Sequence, residues 1–228
     1  MISFLNDLLG LFYPRICGGC DSHLLAHEQN LCLKCFYGLP KTYFWDYKVN
    51  PVETQLWGKV KVSAACGFLH FEKHSITQRL MHRLKYQGKT GVGKELGRQF
   101  AMILSEKKWF SDVDVVVPIP LHPSKEMRRG YNQSFYFAEG ICEIYDVSVL
   151  KNAMRRVIAS DSQTRKSRFA RSENVEQVFQ VRDIESIRGK NVLLVDDVIT
   201  TGATLEAAGN RLLEAGAAKL YIAVIAVS

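Results

Sequence analysis

The sequence predicts an α/β fold, a parallel sheet with helices on both faces, joined to a small metal-stapled module at the N-terminus. Three observations carry that expectation. Apolar runs at Val113–Val117, Leu193–Val195 and Leu220–Ala226 read as buried strands, and helical periodicities lie between them. Four cysteines form two Cys-x-x-Cys pairs near the start of the chain. The stretch Val192-Leu-Leu-Val-Asp-Asp-Val-Ile-Thr-Thr-Gly-Ala-Thr204 runs from a strand through two carboxylates and a loop of hydroxyls and glycine into a helix.

The elements follow in order. Ile2, Leu5, Leu9 and Phe12 recur at helical spacing and predict a short amphipathic helix packed on the protein. That segment lacks a basic n-region, carries Asp7 and offers no small-residue cleavage site, so no secretory signal is expected. Its polar face has no Lys or Arg to hold a membrane surface. No apolar run reaches the roughly 20 residues of a membrane span, and a cytoplasmic protein is the expectation. At 228 residues the chain has room for one good-sized domain and an appendage. The boundary is placed so that residues 1–55 form the metal module and 56–228 the α/β domain.

Cys17-x-x-Cys20 and Cys32-x-x-Cys35 are separated by eleven residues. Each pair makes a knuckle that presents two thiolates to one tetrahedral zinc ion. Disulfides are the competing reading, against which stand the cytoplasmic expectation and the paired spacing. His23 and His27 lie between the pairs as alternative ligands. Roughly 50 residues bury little core, so the zinc is read as a structural staple with no open position for a catalytic water. Cys66 and Cys142 sit in apolar surroundings and read as core.

Tyr43-Phe-Trp-Asp-Tyr47 and Trp57, with Lys59 and Lys61, interleave aromatics with lysine. Such a cluster either stacks single-stranded bases or packs the small module on its neighbour, and packing is preferred. Val60–Phe71 reads as a strand in a hairpin with the apolar positions before it. Ile76, Leu80 and Leu84 mark a helix ending near Gly88, and Val92, Leu96, Phe100 and Ile103 mark another. The Val113–Val117 strand stops at Pro118 and Pro120. A proline-stiffened loop then carries Lys125, Arg128 and Arg129 to a helix that begins at Ser134. Those cations are either a solvated basic loop or an anion site, with Arg able to bind bidentately. Net charge is +7, and seven cations against the single acid Asp161 lie between Lys151 and Arg171. Polyanionic partners follow from that balance.

The Val192–Thr204 stretch carries the most chemistry. Backbone N–H groups of Thr201, Gly202, Ala203 and Thr204 can converge on a phosphate at a helix N-terminus, where the dipole favours negative charge. The Thr200, Thr201 and Thr204 hydroxyls add donors, and Gly202 lets the ligand approach closely. Asp196 and Asp197 stand where ribose hydroxyls would reach them. Carboxylates, hydroxyls and a phosphate together invite Mg²⁺, which prefers oxygen ligands. The bland alternative is a polar turn in which one Asp caps the helix. Two acids, three threonines and a glycine within nine residues favour the ligand.

These thirteen residues resemble the 5-phosphoribosyl-1-pyrophosphate (PRPP) loop of the type I phosphoribosyltransferases. The resemblance implies that Asp196 and Asp197, the catalytic candidates, hold the ribose hydroxyls, and that Thr200–Thr204 bind its 5-phosphate. Transferases for 6-oxopurines carry an aspartate where this chain has Thr200, which cannot act as a base near neutral pH, so salvage of those bases is disfavoured. In this setting Lys125, Arg128 and Arg129 become the site for the leaving pyrophosphate. The zinc pairs, Leu84-Lys-Tyr-Gln-Gly88, Pro118-Ile-Pro-Leu121, Arg129-Gly-Tyr-Asn-Gln133 and the spaced Arg156, Gln163, Arg171, Asn174 and Phe179 follow the order of the ComF family. The resemblance spans nearly the whole chain. It implies a zinc module on a phosphoribosyltransferase domain, in natural transformation. The partners implied are single-stranded DNA and other proteins of the DNA-uptake machinery, at the inner face of the membrane.

Ser160–Ser172 is polar and basic. It is read as the mobile loop that closes over a sugar pyrophosphate, with Arg156, Arg165, Lys166, Arg168 and Arg171 as candidate contacts to a DNA backbone. Three functions are compatible with the sequence: a PRPP-binding protein of DNA uptake, a nucleobase salvage transferase, and a PRPP sensor without turnover.

Overall fold

The structure, a computed structural model, describes residues 14–158 and 178–228. The helix expected around Ile2–Phe12 lies outside the described residues, as does the basic segment Ser160–Ser172 with Arg165, Lys166, Arg168 and Arg171. So do Gln163 and Asn174.

The main sheet has five strands, in the order β1 (Ala64–His70), β7 (Lys219–Val227), β6 (Asn191–Ile199), β2 (Val115–Pro118) and β3 (Ser148–Val149). Every neighbouring pair is parallel. Val192–Val195 and Leu220–Ala226 are buried along their length, as strands covered on both faces must be. A small antiparallel pair, β4 (Met154–Arg156) with β5 (Phe179–Val181), lies beyond β3 in the chain.

Two short helices, α1 (Leu33–Tyr37) and α2 (Pro51–Leu56), precede the sheet. Then α3 (Ile76–Tyr86) and α4 (Thr90–Leu104) join β1 to β2, while α5 (Pro123–Arg129) and α6 (Gln133–Cys142) join β2 to β3. The helix α7 (Ala203–Glu214) joins β6 to β7. The first two connections cross the sheet in one direction and the last in the other. Right-handed crossovers in opposite directions place their helices on opposite faces, and α4 accordingly packs on α6 while α7 covers β6 and β7. The reversal falls between β2 and β6. There the chain segments leaving the two strands diverge and open a crevice at their C-terminal ends.

Glycine sets how closely α4 and α6 approach. A Cβ on Gly140 would lie 2.0 Å from the Lys94 carbonyl oxygen, and one on Gly97 would lie 2.3 Å from that of Phe137. The two helices therefore cross with their backbones in contact. No described helix is long and apolar enough to cross a membrane.

Three local expectations are corrected. The strand expected within Val60–Phe71 forms as β1, but its hairpin shrinks to a single antiparallel bridge, Lys41 with Leu69, because Asn50 and Glu53 form a reciprocal capping box around Pro51 that starts α2 in the intervening chain. β1 then pairs with β7, at the edge of the sheet. The loop at Lys125–Arg129 is the helix α5, with the His122 side chain capping the Ser124 N–H, Pro123 in the first turn and left-handed Gly130 at the end. Finally, β6 does not stop at Val195 but carries both aspartates and runs to Ile199.

Candidate functional site

β6 outlasts its neighbour β2. Their last paired residues are Pro118 and Val195, whereas β6 stays paired with β7 through Ile199 and Val227. Asp196 and Asp197 thus lie beside the notch left where β2 turns away, facing the N-terminus of α6. Both are buried. Ser134 Oγ donates to Asp196 Oδ1 at 3.1 Å, and the Asp197 N–H donates to the same oxygen at 2.8 Å. Gln133 Nε2 donates to Asp197 Oδ2 at 2.6 Å, and Lys85 Nζ stands 2.9 Å from that oxygen. Burial, then the neighbouring Asp197 carboxylate, push the Asp196 carboxyl up to about 7. A carboxyl perturbed by burial and a charged neighbour is the kind of group that clusters at working sites.

The loop after β6 turns at Gly202, whose φ of +81° is left-handed. The loop carbonyls face α2. Gln55 Nε2 donates to the Thr200 carbonyl, and Lys59 Nζ donates to that of Thr201 at 2.8 Å. No peptide here is cis, so the N–H groups of Thr201 and Gly202 point the opposite way from those carbonyls. Thr200, Thr201 and Ala203 are exposed. The arrangement offers donors to an anion at the start of α7.

Beside the carboxylates lies a cavity of about 250 Å³ lined by Lys85, Lys125, Arg128 and Arg129, with Tyr86 and Tyr131. The Arg129 guanidinium stands over the Tyr86 ring at 5.5 Å and donates to Gln133 Oε1. Tyr131 Oη donates to the Leu84 carbonyl at 2.6 Å and accepts the Gly88 N–H at 3.1 Å, which fixes the end of α3 beside the cavity. The three cations singled out in sequence are thus joined by Lys85, and Gln133 links Arg129 to Asp197.

The four N-terminal cysteines form a separate cluster. Their Sγ atoms all lie within 4.8 Å of one another, and Cys20 and Cys32 are 3.7 Å apart. Bonds of about 2.3 Å to a tetrahedral zinc put sulfurs about 3.8 Å apart, whereas a disulfide needs about 2.05 Å. All six cysteines are free, so the donor set fits a metal. The N–H groups of Gly19 and Cys32 donate to Cys17 Sγ at 3.3 and 3.2 Å. The Ser22 hydroxyl beside Cys20 lowers its thiol to about 6, while burial pushes the Cys35 thiol up. The knuckle rests on α3: Arg79 Nε donates to the Gly19 carbonyl at 3.0 Å and Arg83 to that of Cys17 at 2.9 Å.

Arg156 lies on β4 with its guanidinium 5.3 Å from the centre of the Phe179 ring. Of the aromatic cluster, Phe44 is buried and Trp45 packs against Phe68 and Phe100, as the packing reading expects, while Tyr43, Tyr47 and Trp57 are exposed. Sequence reasoning missed Lys85, Gln133, Ser134 and Gln55, and it set Lys59 in the aromatic cluster rather than against the loop after β6. Lys85 and Gln133 stood inside recognised motifs, but nothing local assigned them a role.

Comparisons with known proteins bear on this geometry. Residues 137–227 match the family described as "Phosphoribosyl transferase domain", a span holding the carboxylate pair and the loop after it. Among solved structures, a glutamine phosphoribosylpyrophosphate amidotransferase from B. subtilis complexed with ADP and GMP is 20% identical with a TM-score of 0.45, covering 63% of this chain and 30% of that one. Competence protein F of Haemophilus influenzae is 26% identical over 210 residues, 90% of this chain and 82% of that protein. Competence protein ComFC of Bacillus subtilis is 30% identical over 211 residues, which cover 90% of this chain and 80% of that protein. With such identity across most of both chains, and with the cysteine cluster and parallel sheet in place, the chain belongs to the ComF family of competence proteins.

Proposed function

We propose that the crevice binds PRPP with Mg²⁺ and that the protein handles incoming single-stranded DNA during natural transformation. One observation carries the first part. A buried carboxylate pair is joined through Lys85 to a four-cation cavity and runs on in the chain into a glycine-hinged threonine loop at a helix start. In this reading Asp196 and Asp197 accept hydrogen bonds from the ribose hydroxyls. Amides of residues 201–204 and the Thr200, Thr201 and Thr204 hydroxyls take the 5-phosphate. Lys125, Arg128 and Arg129 take the pyrophosphate. Mg²⁺ arriving with the ligand would supply charge neutralisation to the phosphate oxygens. The protein's own part is to hold the sugar and to exclude water, with fixed dipoles in place of solvent. The names of the ComF and ComFC relatives support the competence role. Cys17, Cys20, Cys32 and Cys35 would hold a structural zinc within a module of residues 1–55.

Calorimetry tests the sugar site. PRPP with Mg²⁺ gives a saturable heat with the wild type and none after Asp196→Ala with Asp197→Ala; a folded wild type that gives no heat rejects the reading. Gel shifts test the DNA arm. Changing Arg165, Lys166, Arg168 and Arg171 to Ala weakens single-strand binding and flattens its salt dependence. Unchanged affinity and slope remove that segment from the contact.

A further inference from the structure

Lys85 belongs to two sites at once. Its ammonium lies 2.9 Å from Asp197 Oδ2, and its side chain also lines the cavity with Lys125, Arg128 and Arg129. It is the penultimate residue of α3, whose C-terminal end is pinned by the Tyr131 hydroxyl to Leu84 and Gly88. The backbone beneath Lys85 is therefore held while its long side chain can choose between two anions. Gln133 competes for the same Asp197 oxygen and is itself held by Arg129.

The carboxylate pair needs this cation. Asp196 and Asp197 are both buried, and adjacent negative charges without a counter-ion are strongly unfavourable. Ribose hydroxyls that reach Asp197 meet a carboxylate whose Oδ2 is already held by Lys85 and Gln133. A pyrophosphate in the neighbouring cavity offers the ammonium a stronger anion.

We infer that Lys85 is an exchangeable counter-ion, paired with Asp197 and drawn onto pyrophosphate oxygens when they enter the cation cavity, so that filling that cavity loosens the hold on Asp197 and favours the sugar. The inference rests on the PRPP reading of the crevice and deepens it by making pyrophosphate and ribose binding cooperative. No bond is made or broken in the exchange. The ammonium gives up one anion for another and keeps its proton.

The test uses three probes on the full chain, measured calorimetrically with Mg²⁺: inorganic pyrophosphate, ribose 5-phosphate and PRPP. Lys85→Met weakens pyrophosphate by about 10-fold or more, as loss of a charge-assisted contact requires. It leaves ribose 5-phosphate unchanged or tighter, because Asp197 no longer has a resident cation. Asp197→Asn gives the reverse, with pyrophosphate binding tighter and ribose 5-phosphate weaker, and it stands as the second variant should Lys85→Met fail to fold. A merely structural role for Lys85 moves both ligands the same way. Equal weakening of both by Lys85→Met, or weaker pyrophosphate binding by Asp197→Asn, overturns the exchange while leaving the PRPP site intact. A folded wild type that binds none of the three probes removes the PRPP reading, and the exchange falls with it.

Discussion

Replacing Asp196 by Asn should make the protein more stable at pH 8, although it damages the proposed site. Asp196 is buried, accepts from the Ser134 hydroxyl and the Asp197 N–H on one oxygen, and lies beside a second carboxylate. Burial and that neighbour raise its carboxyl from an ordinary 3.8 to about 7. Below pH 3.8 the group is protonated in both the folded and unfolded chain and contributes no difference. Between about 4 and 7 the unfolded chain releases the proton while the folded chain keeps it, so stability falls as pH rises. Above about 7 the loss is complete. A span of about 3 pH units at about 1.4 kcal/mol each sets the cost on the order of 4 kcal/mol at most. An asparagine keeps the acceptor on Oδ1 and places an uncharged donor beside Asp197, mimicking the protonated acid. Urea unfolding from pH 4 to 8 should show wild-type stability declining through this window and Asp196→Asn declining less. The two curves should meet near pH 4, with the variant higher at pH 8. A variant less stable than wild type at pH 8, or parallel curves, would refute the claim that the site holds a costly charge in place.

Two further outcomes follow from the packing and the cysteine cluster. Gly140→Ala should cost about 2 kcal/mol or more in thermal unfolding, even though helix propensity alone favours alanine by about 1 kcal/mol, because the added Cβ meets the Lys94 carbonyl; a stabilised variant would show that α4 and α6 do not touch there. Purified protein should carry one zinc per chain by elemental analysis, and Cys17→Ser should remove it and lower stability by about 3 kcal/mol, roughly 10 °C in a chain of this size. Six thiols reacting freely with a disulfide reagent, before any chelator, would contradict the metal cluster.

What was legible in the sequence was what is local. The cysteine pairs specify their cluster through spacing alone, and the knuckles close as expected. The stretch from Val192 to Thr204 likewise holds its strand, acids, glycine turn and helix within one continuous run. Its one misreading, ending the strand at Val195, came from treating charge as a loop signal. β6 tolerates buried aspartates because Ser134, Gln133 and Lys85 satisfy them. Those partners arrive from two other elements, α3 and α6, brought to one crevice by the topology, and no periodicity near Lys85 reveals that meeting. The α5 helix was hidden for a different reason. None of its residues is buried, so no apolar stripe marked it, and only the Pro123 start and Gly130 stop remained as signals. The approach of α4 to α6 through Gly97 and Gly140 is likewise a tertiary fact.

A crystal structure of the protein with PRPP and Mg²⁺ tests the central claim most directly. The ribose hydroxyls should lie on Asp196 and Asp197, the 5-phosphate on the amides of residues 201–204, and the pyrophosphate among Lys85, Lys125, Arg128 and Arg129. A well-ordered crevice left vacant at saturating ligand, or a sugar bound elsewhere on the protein, would contradict it.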